Sequence, residues 1–420
     1  PDVSFALLGK VKNPQSKMEI LKINKSDNSV VKLKTYTDSS VYWNSGSVSN
    51  ATWLDLKVLY TENGDYAYVC TEGGGFSDTN PSAYNRKNVH IYRLDTLYDD
   101  ETHSCVGYIP AMSYHNIFIY QNKERNAAYL YGVGGKRNAL EVYDLSIDPT
   151  KPMFLGGYKA YPDGYNHVHT GGDEQDERSD LYIHDCCVTD GIPGIEDRIV
   201  LFAACISWAN IVVIDVTDPV NIQSLVTIVD PRYQNETFSS VGLHHCWVTP
   251  NKEFLLAGTE IFSKDVFVID IKTIFTSPGY YYNDPNQDVS KYTPLVGDFQ
   301  CLTDTQGTNL HNQYCYNILG DNDNFLLLTA GYASGTNAHI INYQKIREGL
   351  LNIGVTSNLN DAVVKRIRIK EDYEIEELSQ DSLYTSVWSV SWCPNSKICF
   401  DSCFYFGNNE PNYPRGYRVF

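Results

Sequence analysis

Residues 183–219 run Ile183-His-Asp-Cys-Cys-Val-Thr-Asp190, a Gly/Pro turn, then Arg198-Ile-Val-Leu-Phe-Ala-Ala-Cys-Ile206. A second turn leads to Asn210-Ile-Val-Val-Ile-Asp-Val-Thr-Asp-Pro219. These are three short β-runs separated by turn residues. A fourth run, Gln223 to Val229, follows. Each is rich in Val, Ile and aromatic residues, which suit a pleated and largely buried surface. Four such strands in succession make an antiparallel meander. One sheet of this kind cannot bury both faces alone, so it needs copies of itself beside it.

Degenerate copies are present. Trp53-Leu-Asp-Leu-Lys-Val leads to Tyr66-Ala-Tyr-Val-Cys and Val89-His-Ile-Tyr-Arg-Leu-Asp. His115-Asn-Ile-Phe-Ile leads to Ala128-Tyr-Leu-Tyr-Gly and Leu140-Glu-Val-Tyr-Asp-Leu. His245-Cys-Trp-Val-Thr leads to Phe254-Leu-Leu-Ala-Gly and Val266-Phe-Val-Ile-Asp-Ile. His311-Asn-Gln-Tyr-Cys leads to Phe325-Leu-Leu-Leu-Thr and Ala338-His-Ile-Ile-Asn. Trp388-Ser-Val-Ser-Trp leads to Ile398-Cys-Phe-Asp and Gly416-Tyr-Arg-Val-Phe. The shared order is a His or Trp, a first strand, a strand ending near a small residue, and a strand often ending in Asp or Asn. The period exceeds the ~40–50 residues of a common propeller blade. The excess falls in loops, where insertions cost little.

The pattern predicts an all-β chain forming one β-propeller of four-stranded antiparallel blades. The sheets are expected at 4–36, 53–110, 113–160, 183–230, 241–296, 308–369 and 382–420. Residues 4–36 hold three strand-like runs that fit the second, third and fourth strands of a blade, so that blade lacks a first strand of its own. Seven blades follow, with six as the alternative if Phe5 to Val11 is instead the outer strand of the last sheet. The absent strand would come from upstream sequence or from a neighbouring molecule by strand exchange, and the latter predicts filaments. The only helix expected is a short one over Gln344 to Leu351.

Composition narrows the function classes. The 420 residues carry a formal charge of −18, against nucleic-acid phosphates and anionic lipid. No apolar run of about 18 residues is present, so no membrane span is expected. The chain opens on Pro1, consistent with a targeting segment already removed. Packing on strand faces is the expected role for most of the 32 tyrosines. Eleven cysteines without CxxC spacing suggest pairing in an oxidising compartment. Cys187 (or Cys186) with Cys205 is one candidate bridge, and Cys393, Cys399 and Cys403 form a second cluster. Sequons occur at Asn24, Asn50 and Asn235. The expected location is extracellular or at the cell surface, with glycans permitted.

His115-Asn-Ile, His184-Asp, His245-Cys-Trp-Val-Thr and His311-Asn-Gln-Tyr resemble the blade openers of LVIVD-repeat proteins, the choice-of-anchor B family. Ile214-Asp-Val-Thr-Asp-Pro219 resembles that repeat's signature, and Trp53-Leu-Asp-Leu-Lys-Val and Trp388-Ser-Val-Ser its second and last openers. The resemblance covers nearly the whole chain. It implies a secreted or surface-attached propeller and no particular reaction. No C-terminal anchor is visible, which favours a free or polymeric form.

First strands of blades line a propeller's channel, so His115, His184, His245 and His311 could ring it and hold zinc or a similar ion. Their recurrence at one position per repeat favours a structural role, each bonding the neighbouring blade. His167 and His169 share one side of a strand in a Gly-rich loop. Asp173 and Asp176, and separately Asp321 and Asp323, are candidate calcium ligands, calcium being the one cofactor expected; neither set has EF-hand spacing. No Gly-x-Ser-x-Gly elbow or Walker loop occurs. The function expected is therefore a secreted, non-enzymatic structural or binding propeller, for which self-assembly through terminal strands is one option. The alternative is a metal-dependent, lactonase-like hydrolase built on the channel histidines.

Overall fold

The computed structural model describes residues 3–10, 17–24, 26, 29–37, 52–72, 89–94, 105–109, 114–134, 139–159, 167–169, 182–206, 210–229, 243–259, 265–276, 296–300, 310–318, 321–331, 335–352, 356–368, 385–392, 399–405 and 417–419. Among these, strands form seven sheets in chain order. The first is β1 (Val3–Lys10), β2 (Lys17–Asn24) and β3 (Ser29–Thr37). The second is β4 (Thr52–Thr61), β5 (Gly64–Glu72), β6 (Val89–Arg93) and β7 (Gly107–Ile109). The third is β8 (Asn116–Asn122), β9 (Ala127–Val133), β10 (Ala139–Asp144) and β11 (Met153–Lys159), with β12 (His167–His169) on its edge. The fourth is β13 (Ile183–Ile192), β14 (Ile195–Cys205), β15 (Asn210–Asp215) and β16 (Gln223–Val229).

The fifth sheet is β17 (Leu243–Val248), β18 (Phe254–Thr259), β19 (Asp265–Asp270) and, after helix α1 (Ile271–Thr276), β20 (Val296–Gln300). The sixth is β21 (Leu310–Ile318), β22 (Asp321–Gly331) and β23 (Gly335–Asn342). Helix α2 (Tyr343–Asn352) and β24 (Thr356–Asn358) precede its fourth strand, β25 (Val363–Arg368). The seventh is β26 (Thr385–Trp392), β27 (Cys399–Tyr405) and β28 (Tyr417–Val419). This succession of antiparallel meanders is that of an all-β, seven-bladed β-propeller. The first and last sheets each have three strands.

The chain divides into two compact units: Pro1–Tyr161 with Tyr165–Val188 and Asp218–Ile222, and Pro162–Gly164 with Thr189–Thr217 and Gln223–Phe420. In the first unit, one core cluster joins the second and third sheets through Leu59, Tyr68, Val89, Ile91, Ile117 and Leu130. Tyr68 is fully buried, and its hydroxyl donates to Pro149 O at 2.7 Å. Tyr92, Tyr114, Tyr131 and Tyr158 are buried as completely, so packing is the role of these tyrosines.

In the second unit, Phe254, Leu256 and Val268 of the fifth sheet meet Phe325, Leu327 and Ile341 of the sixth. Helix α2 falls where the short helix was expected, and its Ile346 and Leu350 complete that core. β24 then pairs in parallel with β20, adding a fifth strand to the preceding sheet. Sequence periodicity gives no hint of this addition. A parallel partner needs a long connection, and here it runs through β21, β22, β23 and helix α2.

The acids that end third strands are turn-formers. Asp144 Oδ1 accepts from Ser146 N, and Asp148 Oδ1 from Thr150 N. In the next repeat Asp215 Oδ1 accepts from Thr217 N, and Asp218 Oδ1 from Val220 N. Asp and Ser/Thr close such local bonds more readily than other side chains. The Asp-x-Thr-Asp-Pro signature is therefore the hinge between third and fourth strands.

Candidate functional site

The starts of β4, β8 and β13 bring together the polar groups of the first unit. Asp55 in β4 holds Lys57, two residues along the same face, at 2.5 Å. Its Oδ1 also accepts from Leu56 N at 2.9 Å, and its Oδ2 reaches the backbone N–H of Ile117 at 3.1 Å. That last bond carries the carboxylate from one sheet to the first strand of the next.

Tyr114 and His115 lead into β8. The Tyr114 hydroxyl donates to Glu141 Oε2, and Tyr143 donates to the same oxygen at 2.9 Å. All three residues are buried. Burial, and then the nearby Glu141, push the Tyr114 phenol well above its ordinary range. The ring lies over Gly132, where a Cβ would stand 2.7 Å from it. His115 N donates to Val133 O at 2.9 Å. Gly134, with φ of +70°, leaves room for His115: a Cβ there would meet His115 Cβ at 2.3 Å. Tyr182 donates its hydroxyl to Gly134 O at 3.1 Å, and its ring is 6.0 Å from that of His184.

The rings of His115 and His184 meet, centroids 4.1 Å apart and inclined at 52°. A ring nitrogen of each lies within 4.8 Å of one on the other. His184 is buried and His115 partly so. Asn116 Nδ2 donates to His184 O at 2.9 Å, fixing the strand that carries this imidazole. Asp185 follows, buried, with Oδ1 accepting from Cys186 N at 2.7 Å. Burial raises its carboxyl to about 7, with Asp55 adding to the rise; Lys57, the Cys186 N–H and His115 oppose it.

The four histidines expected to act alike do not. His115 and His184 form the pair. His245 is buried in the second unit, stacked on Trp247 at 5.9 Å and edge-on to Tyr314 at 5.2 Å, which makes it part of an aromatic packing set. His184 and His311 are each the second residue of their strands, and in β17 that position belongs to His244. Neighbouring strand residues point to opposite faces, so His244, not His245, is the positional counterpart. The side chain of His311 lies outside the described residues.

Cys205 keeps a free thiol, so the bridge expected between Cys187 and Cys205 is not formed. Burial lifts the Cys205 thiol far above its usual range, and its Sγ lies 3.7 Å from Ala203 O. Asp323 is exposed in β22. Asp173, Asp176, Cys393, Asn50 and Asn235 lie outside the described residues, as do the side chains of His167, His169, Asp321, Cys399 and Asn24. Sequence reasoning did not single out Asp55, Asn116, Tyr182 or Asp185. The signal was present in the dipeptides His115-Asn and His184-Asp, whose second residues carry the cross-sheet bond and the buried acid. Among the described residues, no helix is long and apolar enough to cross a membrane.

No protein-family model matches the chain, and no curated protein matches it. Among solved structures, a putative 6-phosphogluconolactonase from Bacteroides uniformis shares 14% identity, covers 96% of this chain and 90% of its own, and gives a TM-score of 0.51. A putative 6-phosphogluconolactonase from Bacteroides fragilis shares 11% identity over 96% of this chain and 88% of its own, with a TM-score of 0.48. The β-propeller domain of Myceliophteria thermophila Cps50 (Swd1) shares 8% identity over 100% of this chain and 97% of its own, with a TM-score of 0.46. At such identities the likeness is one of fold, and the fold of this chain is the β-propeller.

Proposed function

We propose that this chain is a binding propeller that takes up a transition-metal ion of the zinc class through His115 and His184. The observation that carries the reading is the contact between the two imidazoles, 4.1 Å between ring centroids, with nitrogens close enough to converge on one ion. Imidazole nitrogen suits zinc, copper or nickel, whereas calcium asks for a shell of oxygens. Carboxyl groups lie close by: the buried Asp185 interacts with His115, and Asp55 with Asp185. The support is also ordered. Tyr182 bonds the backbone beside His115, and Asn116 bonds the backbone of His184. Both bonds hold backbone that carries or adjoins the imidazoles, and groups just outside a metal's ligands commonly matter about 10–100-fold in metal affinity when they bond the rings themselves.

The test is titration of the full chain with zinc, read by calorimetry, for the wild type and the His115→Ala, His184→Ala and His245→Ala variants. One bound equivalent in the wild type is expected. Each of the first two substitutions should weaken binding at least tenfold, and His245→Ala should leave it unchanged. Wild-type protein that takes up no zinc, or equal affinity in all four proteins, would overturn the reading.

A second reading makes the ion catalytic. Two protein ligands leave coordination positions for water and substrate, as catalytic sites do and closed structural sites do not. The structures described as putative 6-phosphogluconolactonases suggest sugar lactones as the first probe. Zinc-dependent lactone opening lost in His184→Ala would favour this reading, whereas zinc uptake without turnover would favour binding alone.

A further inference from the structure

In the sixth sheet, Gln313 of β21 pairs directly with Thr329 of β22. Residues opposite each other in neighbouring strands point to the same face. Gln313 is 1% exposed and Thr329 is fully buried. Among the described residues, no hydrogen-bond partner reaches Gln313 Oε1, Gln313 Nε2 or Thr329 Oγ1. Three polar atoms on one face of a buried layer therefore lack partners among the described residues.

The same place is apolar in the third and fifth sheets. Counting two residues on from the blade-opening histidine gives Ile117 opposite Gly132 in the third sheet. It gives Cys246 opposite Ala257 in the fifth and Gln313 opposite Thr329 in the sixth. An apolar pair satisfies this layer elsewhere, so folding does not require an amide and a hydroxyl here. The next pair along the same face, Cys315 opposite Leu327, is apolar again and belongs to the core. On β23 that rung continues with His339, fully buried and opposite Leu327, so the same face carries a further polar side chain one rung from Thr329.

We propose that Gln313 and Thr329 form a built site for a small neutral hydrogen-bonding ligand, and that the ligand is internal water. An amide offers donors and an acceptor, and a hydroxyl offers both. A buried water asks for two to four such partners, which this pair and adjoining backbone can provide. Neither Gln313 nor Thr329 carries a charge, and His339, the titratable group on the same face, stands opposite Leu327 one rung away. Direct bonding between the two side chains would satisfy only part of their capacity.

A crystal structure of the full chain resolving ordered solvent decides the matter. A solvent peak bonded to both Gln313 and Thr329 is the expected result. The two side chains bonded to each other or to protein, with no peak between them, would overturn the proposal. The paired substitution Gln313→Leu with Thr329→Val supplies a measurement in solution. Removing both partners should release the water and leave the melting temperature equal or higher. Gln313→Leu alone, which strands the hydroxyl, should lower it. A double variant that melts lower than the single one would count against the site.

Discussion

The side-chain amide of Asn116 donates to the backbone carbonyl of His184 at 2.9 Å, joining the start of β8 to β13. The imidazole of His184 belongs to the residue whose backbone is gripped, so Asn116 sets where that ring meets His115. Asn116→Asp keeps the shape but removes the donor and turns a carboxylate toward a carbonyl. Zinc affinity should fall about tenfold, or about 1.4 kcal/mol, with both imidazoles still present. Calorimetric titration against His245→Ala as a control reads the effect. Unchanged affinity in Asn116→Asp would mean that the ring is positioned by other contacts.

Gly134 gives a second handle on the same ring. Its φ of +70° is a left-handed conformation, and a Cβ there would press on His115 Cβ. Gly134→Ala should cost about 1–2 kcal/mol from the backbone alone, and more through displacement of His115. Gly156→Ala is the contrast, since a Cβ there meets only Pro219 O at 3.5 Å. Urea midpoints should fall clearly for the first variant and stay near wild type for the second.

The sheets were legible because alternation and turn chemistry are local. Ile211, Val212, Val213 and Ile214 could only be a buried strand, and Asp215-Val-Thr-Asp-Pro could only turn out of it. The site was legible in part. Residue type singled out His115 and His184, although their recurrence was read as favouring a structural role, and bonds between sheets such as Asp55 to Ile117 depend on register that no local pattern fixes. Two adjacent histidines, His244 and His245, also defeat pattern reading, because a one-residue shift exchanges the faces of a strand. β24 was illegible for another reason: three residues pairing in parallel with a distant strand carry no periodicity of their own.

Two phenols, Tyr114 and Tyr143, donate to one oxygen of buried Glu141. Removing one donor leaves the acid under-satisfied in a place water does not reach. Tyr114→Phe should therefore destabilise the fold by about 1–3 kcal/mol. Tyr114→Phe combined with Tyr143→Phe should cost more or less than the sum of the single changes, because both act on the same oxygen. A double-mutant cycle in urea measures the coupling, and strict additivity would show that the phenols act independently.

Glu253 sits in the turn between β17 and β18 and holds two helices. Lys272 of α1 donates to its Oε1 at 3.0 Å, and Arg347 of α2 donates to its Oε2. Its backbone carbonyl accepts from Ile271 and Lys272 at the start of α1. Burial pushes the carboxyl upward, but the bonds and charges of Lys272 and Arg347 outweigh it and hold it below the ordinary range. The folded form therefore keeps its negative charge to lower pH than the unfolded chain, in which a glutamate titrates near pH 4.3. The stabilisation is fully present above that pH and is lost as pH falls through the lower folded value. Both cations are about two-fifths exposed, so solvent screening limits the effect to about 1 kcal/mol. Glu253→Gln should lower the urea midpoint at pH 7, and the gap from wild type should narrow as pH drops below about 4. High salt at pH 7 should narrow it as well, since exposed cations are screened. A gap that stays constant from pH 7 to pH 3 would show that Glu253 acts through its backbone bonds and not through its charge.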